Sequence, residues 1–515
     1  MKKVTPLKLE DLSVEQKLGM TMIGGVVPKY FDYTLELIKN HALGAAWVHP
    51  TPGGPQREII QKIKEVADYP IIICCDMEGG YPGKDIGAQA PLGFLDDPDL
   101  TFRFARSFAA MAHEDGYNTI CGPVLERVND VNHKRGVNRM FGSDKEMIAR
   151  HAAAFIRGFH EAGILSVAKH YPSVSVGNDS HLRETLADFS EEELLNDQLY
   201  PYRKLLEEDL LDGIMTQHAR LPEIDPEYPA TLSKKVTDIL RRQGFKGVYM
   251  TDDLNMMGIL AKYGKERYAL AVAGGNDLLI SYDYMTQECF PKLKEDFDKG
   301  ILTEGRLNEA AGRVLAMQEK TLRQPTHPFV TAEDKTLADE INRRSLIVKK
   351  NEGLPTGIDP NGHHLFVVMT EYKTDIFSGE NNEAYSPQRI VGEIRERFPQ
   401  SDIRALQHFP EQMEIIDLVH DNLQYDDVVM IAHLSPGCYM GVAEFTARAR
   451  AVFESLQATD RIAALLFLGN PFAMESLPPI KRIIFASQDS VSHYALDVLA
   501  GKYEPEGKFP YKINL

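Results

Sequence analysis

Short apolar runs alternate with longer amphipathic segments between residues 20 and 281. This alternation is typical of βα units, in which a buried parallel strand is followed by a helix that covers the sheet. Eight runs can be counted: MTMIGG from Met20, GAAWVHP from Gly44, PIIICCD from Pro70, YNTICGPV from Tyr117, SVAKHYP from Ser166, GIMTQHAR from Gly213, GVYMTDDL from Gly247 and NDLLIS from Asn276. Eight strands with intervening helices, over about the 250 residues that this fold needs, predict a closed (β/α)8 barrel.

Chemically capable side chains gather at the carboxyl ends of these runs. They are Asp76, Glu126, Lys169, His170, His218, Asp252 and Asp253. Barrel enzymes build their active sites at the C-terminal ends of the strands. The distribution therefore indicates an enzyme, although at any single position a polar residue could simply mark the end of a strand.

A second region follows the proline- and threonine-containing segment TLRQPTHPFVTAEDK, which starts at Thr321. It contains the apolar runs HLFVVMTEY from His364, DVVMIAHLS from Asp427, RIAALLFLGNP from Arg461 and RIIFASQ from Arg482. Such runs alternating with helix-like segments predict a smaller open α/β sheet of about 170 residues. We therefore predict a catalytic barrel over residues 1–322, a linker and helix over 323–345, and a C-terminal α/β sandwich domain over 346–515.

The charge balance argues against two classes of partner. Lys and Arg total 57 against 75 Asp and Glu, which gives a net charge of −18 at pH 7. Nucleic acid and anionic membranes repel such a chain unless it carries a basic patch, and the sequence has no Lys/Arg block. No stretch approaches the about 20 apolar residues of a membrane span. We expect neither nucleic acid nor a membrane as a partner.

The first residues and the cysteines predict a cytoplasmic protein. Two lysines near the start are followed by no continuous apolar run, unlike a secretory signal. The five cysteines, Cys74, Cys75, Cys121, Cys289 and Cys438, are odd in number and lack paired metal-ligand spacing. We expect reduced thiols without structural disulfides.

The stretch KHYPSVSVGNDSH, from Lys169 to His181, carries the most informative polar residues. A strand ends in a Lys-His pair, Pro172 stops it, and a loop of small residues leads to Asp179 and His181. A carboxylate two residues before a histidine can accept its ring N–H, which fixes the tautomer and raises the basicity of the other nitrogen. Such a pair could act as a general acid/base on a loop. The alternative is a solvated histidine beside an Asx turn.

Adjacent carboxylates end the seventh predicted strand. Asp252 and Asp253 follow its apolar run, and consecutive strand side chains point to opposite faces. One can face the barrel mouth while the other caps the next helix, so only one is expected to be chemical. Asp76, before a Gly-Gly turn, could bind sugar hydroxyls or satisfy backbone N–H groups. Arg139 in NRMFGSD is by itself a weak signal.

The ordered set of motifs resembles glycoside hydrolase family 3. The motifs are DMEGG, NRMFGSD, KHYP followed by DSH, PATLS, LRRQGFKGVYMTDDLNM and AGGNDLLI. Within the family the chain most resembles the β-N-acetylglucosaminidase branch, which is marked by an Asp-x-His loop after the fifth strand. The second region, entered through NRRSLIVKKNEGLP, resembles the α/β sandwich of two-domain members. The resemblance implies an exo-acting retaining β-N-acetylhexosaminidase that cleaves terminal β-GlcNAc through a covalent glycosyl-aspartate, with no cofactor and no metal.

The resemblance also implies roles for individual residues. The nucleophile would be Asp252 and the acid/base His181, with Asp179 orienting the histidine. Substrate-binding positions match Asp76, Arg139, Lys169, His170 and Met256. The nucleophilic carboxylate must stay ionised, which the cations of Lys169 and Arg139 near the sugar would favour. A histidine can supply the proton that the leaving oxygen needs.

Two departures from the family pattern leave the sugar open. The branch usually has Gly-His-Gly where this chain has Ser173, Val174 and Ser175, and the loop up to Asn178 is one residue shorter. The Arg that commonly follows Glu-Gly-Gly is Tyr81 here, which removes one expected cation from the substrate face. A β-glucosidase is therefore an alternative within the family. A neutral histidine base repels anions less than a carboxylate does, so a β-glycoside phosphorylase also stays open.

Two further alternatives come from other classes. One is a catalytically silent sugar-binding relative, because the altered loop is where activity would be lost first. The other is a metal-dependent barrel hydrolase with His170, His181, His218 and Asp252 as ligands, although MTMIGG lacks the His-x-His usual on the first strand. We expect a small glycoside or a cell-wall-derived saccharide as the substrate. For the second domain three roles stay open: shaping the site, holding a homodimer or stabilising the barrel.

Overall fold

The computed structural model describes residues 3–129, 136–174, 177–281, 285–327, 330–369, 387–434 and 444–515. The chain forms two compact units. The first consists of Met1–Asp85, Asp97–Val131 and Ser143–Ala338, and the second of Ile86–Asp96, Asn132–Gly142 and Asp339–Leu515. Two short segments of the N-terminal half thus cluster with the second unit. The domain limits at residues 322 and 345 stay a prediction.

Parallel strands of the first unit form a curled sheet. In chain order they are β1 Ile23–Gly25, β2 Ala45–Trp47, β3 Ile72–Asp76, β4 Thr119–Val124, β5 Leu165–Tyr171, β6 Gly213–Thr216 and β7 Val248–Thr251, and they pair in that order. Residues 278–279 close the ring, because Leu279 forms a parallel bridge with Met22 and Leu278 one with Met250. All eight predicted runs therefore line the barrel, and the predicted (β/α)8 fold is confirmed.

Helices cover this barrel and explain the amphipathic segments. The α-helices of the first unit are Val14–Met20, Phe31–Lys39, Gln56–Val66, Pro98–Asp115, Lys145–Glu161, Glu191–Glu193, Tyr200–Glu207, Lys234–Arg242, Met257–Tyr263, Arg267–Ala273, Met285–Asp298 and Glu304–Lys320. A π-helical turn, Leu194–Gln198, precedes Tyr200–Glu207, and the chain enters the second unit within helix Asp334–Arg344. Among the residues that the structure describes, no helix has the length and apolarity needed to cross a bilayer.

Buried polar groups hold the amino ends of the last barrel strands. Asp277 is fully buried and pairs with Arg241 at 2.9 Å, Arg306 at 2.7 Å and Arg313 at 3.2 Å. The guanidinium of Arg241 also stacks on the ring of Tyr249, 4.5 Å from its centroid. A buried carboxylate of this kind is tolerated only while its partners are present. The motif AGGNDLLI is therefore explained by the packing of the barrel rather than by chemistry at its mouth.

The second unit is built on one mixed sheet. Its strands are β8 Ile347–Lys350, β9 Leu365–Met369, β10 Asp402–Leu406, β11 Val428–Leu434, β12 Ile462–Gly469 and β13 Arg482–Ala486, in the order β8-β13-β12-β11-β9-β10. Only the edge pair β8 and β13 is antiparallel among these strands. Its helices are Ala90–Leu95, Pro387–Arg397, Gln412–Asp421, Ala447–Gln457 and Ser492–Leu499. This is the open α/β sheet that the sequence predicts.

Alternate residues of these strands supply two separate cores. Val367 and Met430 belong to one apolar cluster, whereas Phe366 and Val429 belong to the other, as expected for the two faces of a covered sheet. Phe94 joins the first cluster, with its ring 5.8 Å from that of Phe485. This contact explains why the early segment that contains helix Ala90–Leu95 clusters with the second unit.

Candidate active site

Asp252 lies directly after β7, at the carboxyl end of the barrel. Its backbone N–H donates to the carbonyl oxygen of Thr216 on the neighbouring strand at 2.9 Å. Its Oδ1 accepts the backbone N–H of Asp253 at 2.8 Å. The side chain remains 24% exposed. Asp252 is thus fixed in position while part of its side chain stays accessible.

His170, at the end of β5, approaches the same carboxylate. Its Nε2 lies 4.0 Å from Oδ2 of Asp252, and its Nδ1 lies 2.8 Å from Oε1 of Glu126, which follows β4. Glu126 also accepts the backbone N–H of His170 at 3.3 Å. Because the glutamate holds Nδ1, the other ring nitrogen is turned toward Asp252. The sequence places Glu126 at a strand end but does not predict this pairing.

His218, two residues beyond β6, forms a hydrogen bond with the backbone of the Asp252–Asp253 pair. Its Nε2–H donates to the carbonyl oxygen of Asp253 at 2.9 Å, and its Nδ1 lies 2.8 Å from the hydroxyl of Thr231. Burial lowers the pKa of His218, and the opposing field of Asp252 does not overcome it. The Nε2–H of His218 is committed to the carbonyl of Asp253, and the Thr231 hydroxyl that faces Nδ1 donates to the carbonyl of Gln217 at 2.8 Å. His218 therefore holds the backbone of the Asp pair.

Histidines also decide the charge of Asp252. Burial by itself would raise the pKa of this carboxyl group, but His170, His218, the N–H of Asp253 and His181 together bring it below the ordinary value. Electrostatic neighbours of this sign favour the charged form. Asp252 is therefore ionised at neutral pH, as a nucleophile must be.

Asp179 and His181 form a pair on the loop after β5. Nδ1 of His181 lies 2.8 Å from Oδ1 of Asp179, and the backbone N–H of His181 donates to the same oxygen at 3.0 Å. Asp179 is buried and His181 partly exposed. A carboxylate that accepts Nδ1–H assigns proton exchange with a substrate to Nε2.

The helix after the Asp pair anchors this loop. The N–H of Met257 donates to the carbonyl of His181 at 3.1 Å, and the N–H of Gly258 to that of Ser180 at 2.9 Å. Upstream, the N–H of Ser173 donates to the carbonyl of His170 at 2.7 Å. Ser175 and Val176, in the altered part of the loop, lie outside the described residues. The contacts of Met257 and Gly258 link the position of His181 directly to the segment that carries Asp252.

Substitution of Gly258 tests the link between the His181 loop and the Asp252 segment, because there is no room for a methyl group at this position. An added Cβ would lie 2.8 Å from the carbonyl oxygens of both Ser180 and Arg183. We expect Gly258→Ala to displace the loop and to lower kcat/KM about tenfold for glycosides whose leaving group needs protonation. Gly305 is the matched control, since it is also the second residue of a helix and an added Cβ there meets nothing within 4 Å. Equal activity of Gly258→Ala and Gly305→Ala would contradict the link.

Lys169 joins two carboxylates at the mouth. Its Nζ lies 2.5 Å from Oδ1 of Asp76 and 2.8 Å from Oε1 of Glu78. Lys169 is buried whereas Asp76 is exposed. The lysine therefore fixes Asp76 at the edge of the mouth, where carboxylate oxygens can accept from sugar hydroxyls. Glu78 is a contact that the sequence does not predict, although it lies only two residues after Asp76.

The sequence also names Tyr81, Met256 and Arg139. Tyr81 stands where family members commonly have Arg, and its hydroxyl donates to Asp115 at the end of helix Pro98–Asp115. Met256 is only 1% exposed, and its N–H donates to the carbonyl of Asp253 at 3.1 Å. Arg139 ends a short 3₁₀ helix in the segment 132–142, which clusters with the second unit. A contact of Met256 or Arg139 with a sugar stays a prediction.

An apolar cavity of about 240 Å³ opens where β1 and β2 end. Ile23, Val27, Trp47, Ile59 and Ile280 contribute to its wall. Ile280 forms hydrogen bonds with the residues before and after the Asp252–Asp253 pair. Its N–H donates to the hydroxyl of Thr251 at 2.9 Å, and its carbonyl accepts the N–H of Leu254 at 3.1 Å. The mouth thus has polar side chains on β3 to β7 and an apolar recess beside them.

Metal ligation was one alternative reading of these histidines. Within the described ranges, no group of three or more His, Cys, Asp or Glu is arranged to hold a metal ion. Both ring nitrogens of His218 contact protein oxygens, and Nδ1 of His170 and Nδ1 of His181 face carboxylates. Cys74, Cys75, Cys121 and Cys289 are buried free thiols, while Cys438 lies outside the described residues.

A parallel barrel with an ionised carboxylate and a carboxylate–histidine pair at its mouth has the parts that nucleophilic and acid/base catalysis require. The family model of the glycosyl hydrolase family 3 N-terminal domain matches residues 15–317. A β-hexosaminidase of Tolumonas auensis is 31% identical over 261 residues, which cover 45% of this chain and 76% of the relative. The chain belongs to glycosyl hydrolase family 3, and it is a glycoside hydrolase by family.

Solved structures support the two-part architecture. A family 3 β-N-acetylglucosaminidase from Paenibacillus superimposes with a TM-score of 0.82 at 24% identity, covering 98% of this chain and 99% of the other. The β-glucoside phosphorylase BglX superimposes with a TM-score of 0.81, also at 24% identity, covering 98% and 94%. At this identity the likeness establishes the fold, so the choice of sugar must come from other observations.

Proposed function

We propose that this protein is an exo-acting retaining β-N-acetylhexosaminidase that removes terminal β-GlcNAc from a small glycoside or a cell-wall-derived saccharide. The observation that carries the proposal is the ionised Asp252 among histidines, with the Asp179–His181 pair on the adjoining loop. The relatives named β-hexosaminidase support the sugar. The cytoplasmic location and the homodimer stay predictions from the sequence.

The mechanism assigns two steps to this geometry. In the first, the carboxylate of Asp252 attacks the anomeric carbon while the imidazolium of His181 gives its Nε2 proton to the leaving oxygen. Asp179 holds Nδ1–H throughout and stabilises the imidazolium. In the second step the neutral His181 takes a proton from water, which attacks the glycosyl-Asp252 ester and restores both residues. Two inversions give net retention at the anomeric carbon.

Substrate positioning is assigned to the neighbouring polar groups. Asp76, held by Lys169, is placed to accept from hydroxyls on the sugar ring. His170 is held by Glu126 and turns its Nε2 toward Asp252. Arg139 and Met256 are proposed as additional contacts from the family motifs alone.

The proposal is tested with the 4-nitrophenyl β-glycosides of GlcNAc and glucose, each with and without phosphate. We expect nitrophenol release to be faster from the GlcNAc compound, and the first sugar product to be the β-anomer of free GlcNAc. Preference for the glucoside would reassign the enzyme as a β-glucosidase. No turnover of either compound would favour a silent sugar-binding relative.

Phosphate as the acceptor is the second candidate function. A neutral histidine base repels phosphate less than a carboxylate base would, because like charges raise the energy of an anionic acceptor. The fold is also similar to that of a β-glucoside phosphorylase. A sugar 1-phosphate that forms only when phosphate is added would identify a phosphorylase, and free sugar as the sole product under both conditions would exclude it.

A further inference from the structure

Two exposed apolar side chains flank the proposed acid/base. Leu182 follows His181 in the chain, and Met257 is bonded to the carbonyl of His181 through its N–H. Leu182 is 41% and Met257 43% exposed. Leu186, which ends the short strand Thr185–Leu186 after this loop, is 52% exposed. Single exposed apolar residues need no explanation, but a group of them beside a functional side chain indicates a binding surface.

The position of His181 determines what such a surface can touch. A general acid must lie within about 3 Å of the oxygen that it protonates. In the proposed reaction that oxygen joins the sugar to its leaving group, and the leaving group departs on the side of the anomeric carbon opposite to Asp252. Exposed side chains that adjoin His181, such as Leu182 next to it in the chain and Met257 bonded to its carbonyl, are therefore candidates for contact with the leaving group rather than with the sugar.

We propose that Leu182 and Met257 form the aglycone-binding surface and that they select leaving groups with an apolar face, such as an aryl or alkyl group, over fully hydroxylated ones. This inference rests on the proposed function. The hydrogen bonds from Met257 and Gly258 hold the surface at a fixed place relative to Asp252. Charged residues follow Leu182 in the chain: Arg183 is exposed, and Oε1 of Glu184 lies 2.9 Å from Nε of Arg220. The surface thus has an apolar centre and a polar border.

The chemistry of the surface predicts its selectivity. Each apolar contact with a substrate contributes a modest factor, and one well-placed apolar side chain can change kcat/KM by about tenfold. Asparagine in place of Leu182 keeps a similar size but replaces apolar contact with a group that prefers water. The effect must appear in the comparison between leaving groups, because the sugar and Asp252 are unchanged.

The experiment compares benzyl and 2,3-dihydroxypropyl β-N-acetylglucosaminides, whose alcohol leaving groups both need protonation. The ratio of the two kcat/KM values is measured in the full-length protein and in the variants Leu182→Asn and Met257→Gln. Leu322→Asn is the matched control, because Leu322 has nearly the same exposure as Leu182, at 42%, but lies far from the mouth. It follows helix Glu304–Lys320, and Lys320 at the end of this helix contacts Asp212 at the amino end of β6. Ile59→Asn probes the apolar cavity beside β1 and β2. Melting curves show whether each variant is folded.

We expect the wild-type protein to prefer the benzyl glycoside, and Leu182→Asn and Met257→Gln each to reduce the preference about tenfold. Leu322→Asn and Ile59→Asn should keep the wild-type ratio. A wild type without preference, or folded Leu182→Asn and Met257→Gln variants with an unchanged ratio, would overturn the inference. A ratio that falls only in Ile59→Asn would place the leaving group in the cavity instead. Absence of turnover of every glycoside would refute the proposed function and, with it, the aglycone surface.

Discussion

Replacement of Asp252 by asparagine is expected to lower kcat about 10⁴-fold while the protein remains folded, because the amide has the same shape but is not a nucleophile. An asparagine oxygen can still accept the backbone N–H of Asp253, which now bonds Oδ1 at 2.8 Å. The loss would therefore report the missing negative charge rather than a displaced loop. Turnover of 4-nitrophenyl β-GlcNAc gives the rate, and mass spectrometry of a slowly hydrolysed substrate analogue tests for a covalent adduct on the wild-type protein.

The neighbouring carboxylate provides the matched control. Oδ1 of Asp253 accepts the N–H of Asn255 at 3.0 Å, a contact that an amide oxygen can also make. Asp253→Asn should therefore retain at least about a tenth of the wild-type kcat. Equal losses in the two variants, or an adduct on a residue other than Asp252, would remove Asp252 from its proposed role.

The charge of Asp252 also affects the pH profile. Its pKa lies below the ordinary value because the histidines and the Asp253 N–H outweigh burial. In the free enzyme the carboxylate is then ionised throughout the neutral range and well into the acidic range. An acid limb of kcat/KM at higher pH must report a different group, such as one that binds the sugar.

The apolar runs make most of the fold predictable, and the exceptions have a physical reason. β11 is buried at all but its last residue and contains a single polar side chain, His433, so its apolar run stands out in the sequence. Among the described strands, β10 pairs only with β9, and most of its side chains reach solvent, so DIRAL contains no apolar run. β8 ends in two exposed lysines, and its one partner among the strands that the structure describes is β13. Edge strands are therefore the elements that hydrophobic pattern alone does not reveal.

The candidate site likewise has a part that the sequence predicts and a part that it does not. The chemically capable residues are predictable because parallel strands all end at one face of the barrel. Their pairings are not, because they join distant parts of the chain: His170 and Glu126 are 44 residues apart, and Lys169 and Asp76 are 93 apart. The close approach of Gly258 to the loop carbonyls depends on the packing of a helix against a turn. Only the Asp179–His181 pair, two residues apart, lies within the reach of a local pattern.

Removal of the imidazole in His181→Ala should affect poor leaving groups far more than good ones. For an alkyl or sugar leaving group, which departs only when protonated, we expect kcat/KM to fall about 10³-fold. For a dinitrophenyl leaving group, which is stable as an anion, the fall should be less than about tenfold. The measurement is the slope of log kcat/KM against the pKa of the leaving group, which should become steeper in the variant.

The same residue is the base of the second step, and this gives an independent readout. With dinitrophenyl glycosides the His181→Ala variant should accumulate the glycosyl ester of Asp252, because water attacks slowly without a base. Azide needs no base, so it should restore turnover and yield a glycosyl azide of retained configuration. Asp179→Asn keeps the imidazole but weakens the 2.8 Å contact that fixes Nδ1, so its losses should be smaller and in the same direction. Equal losses on both kinds of leaving group in His181→Ala, without azide rescue, would show that another group supplies the proton and that the loop after β5 serves binding alone.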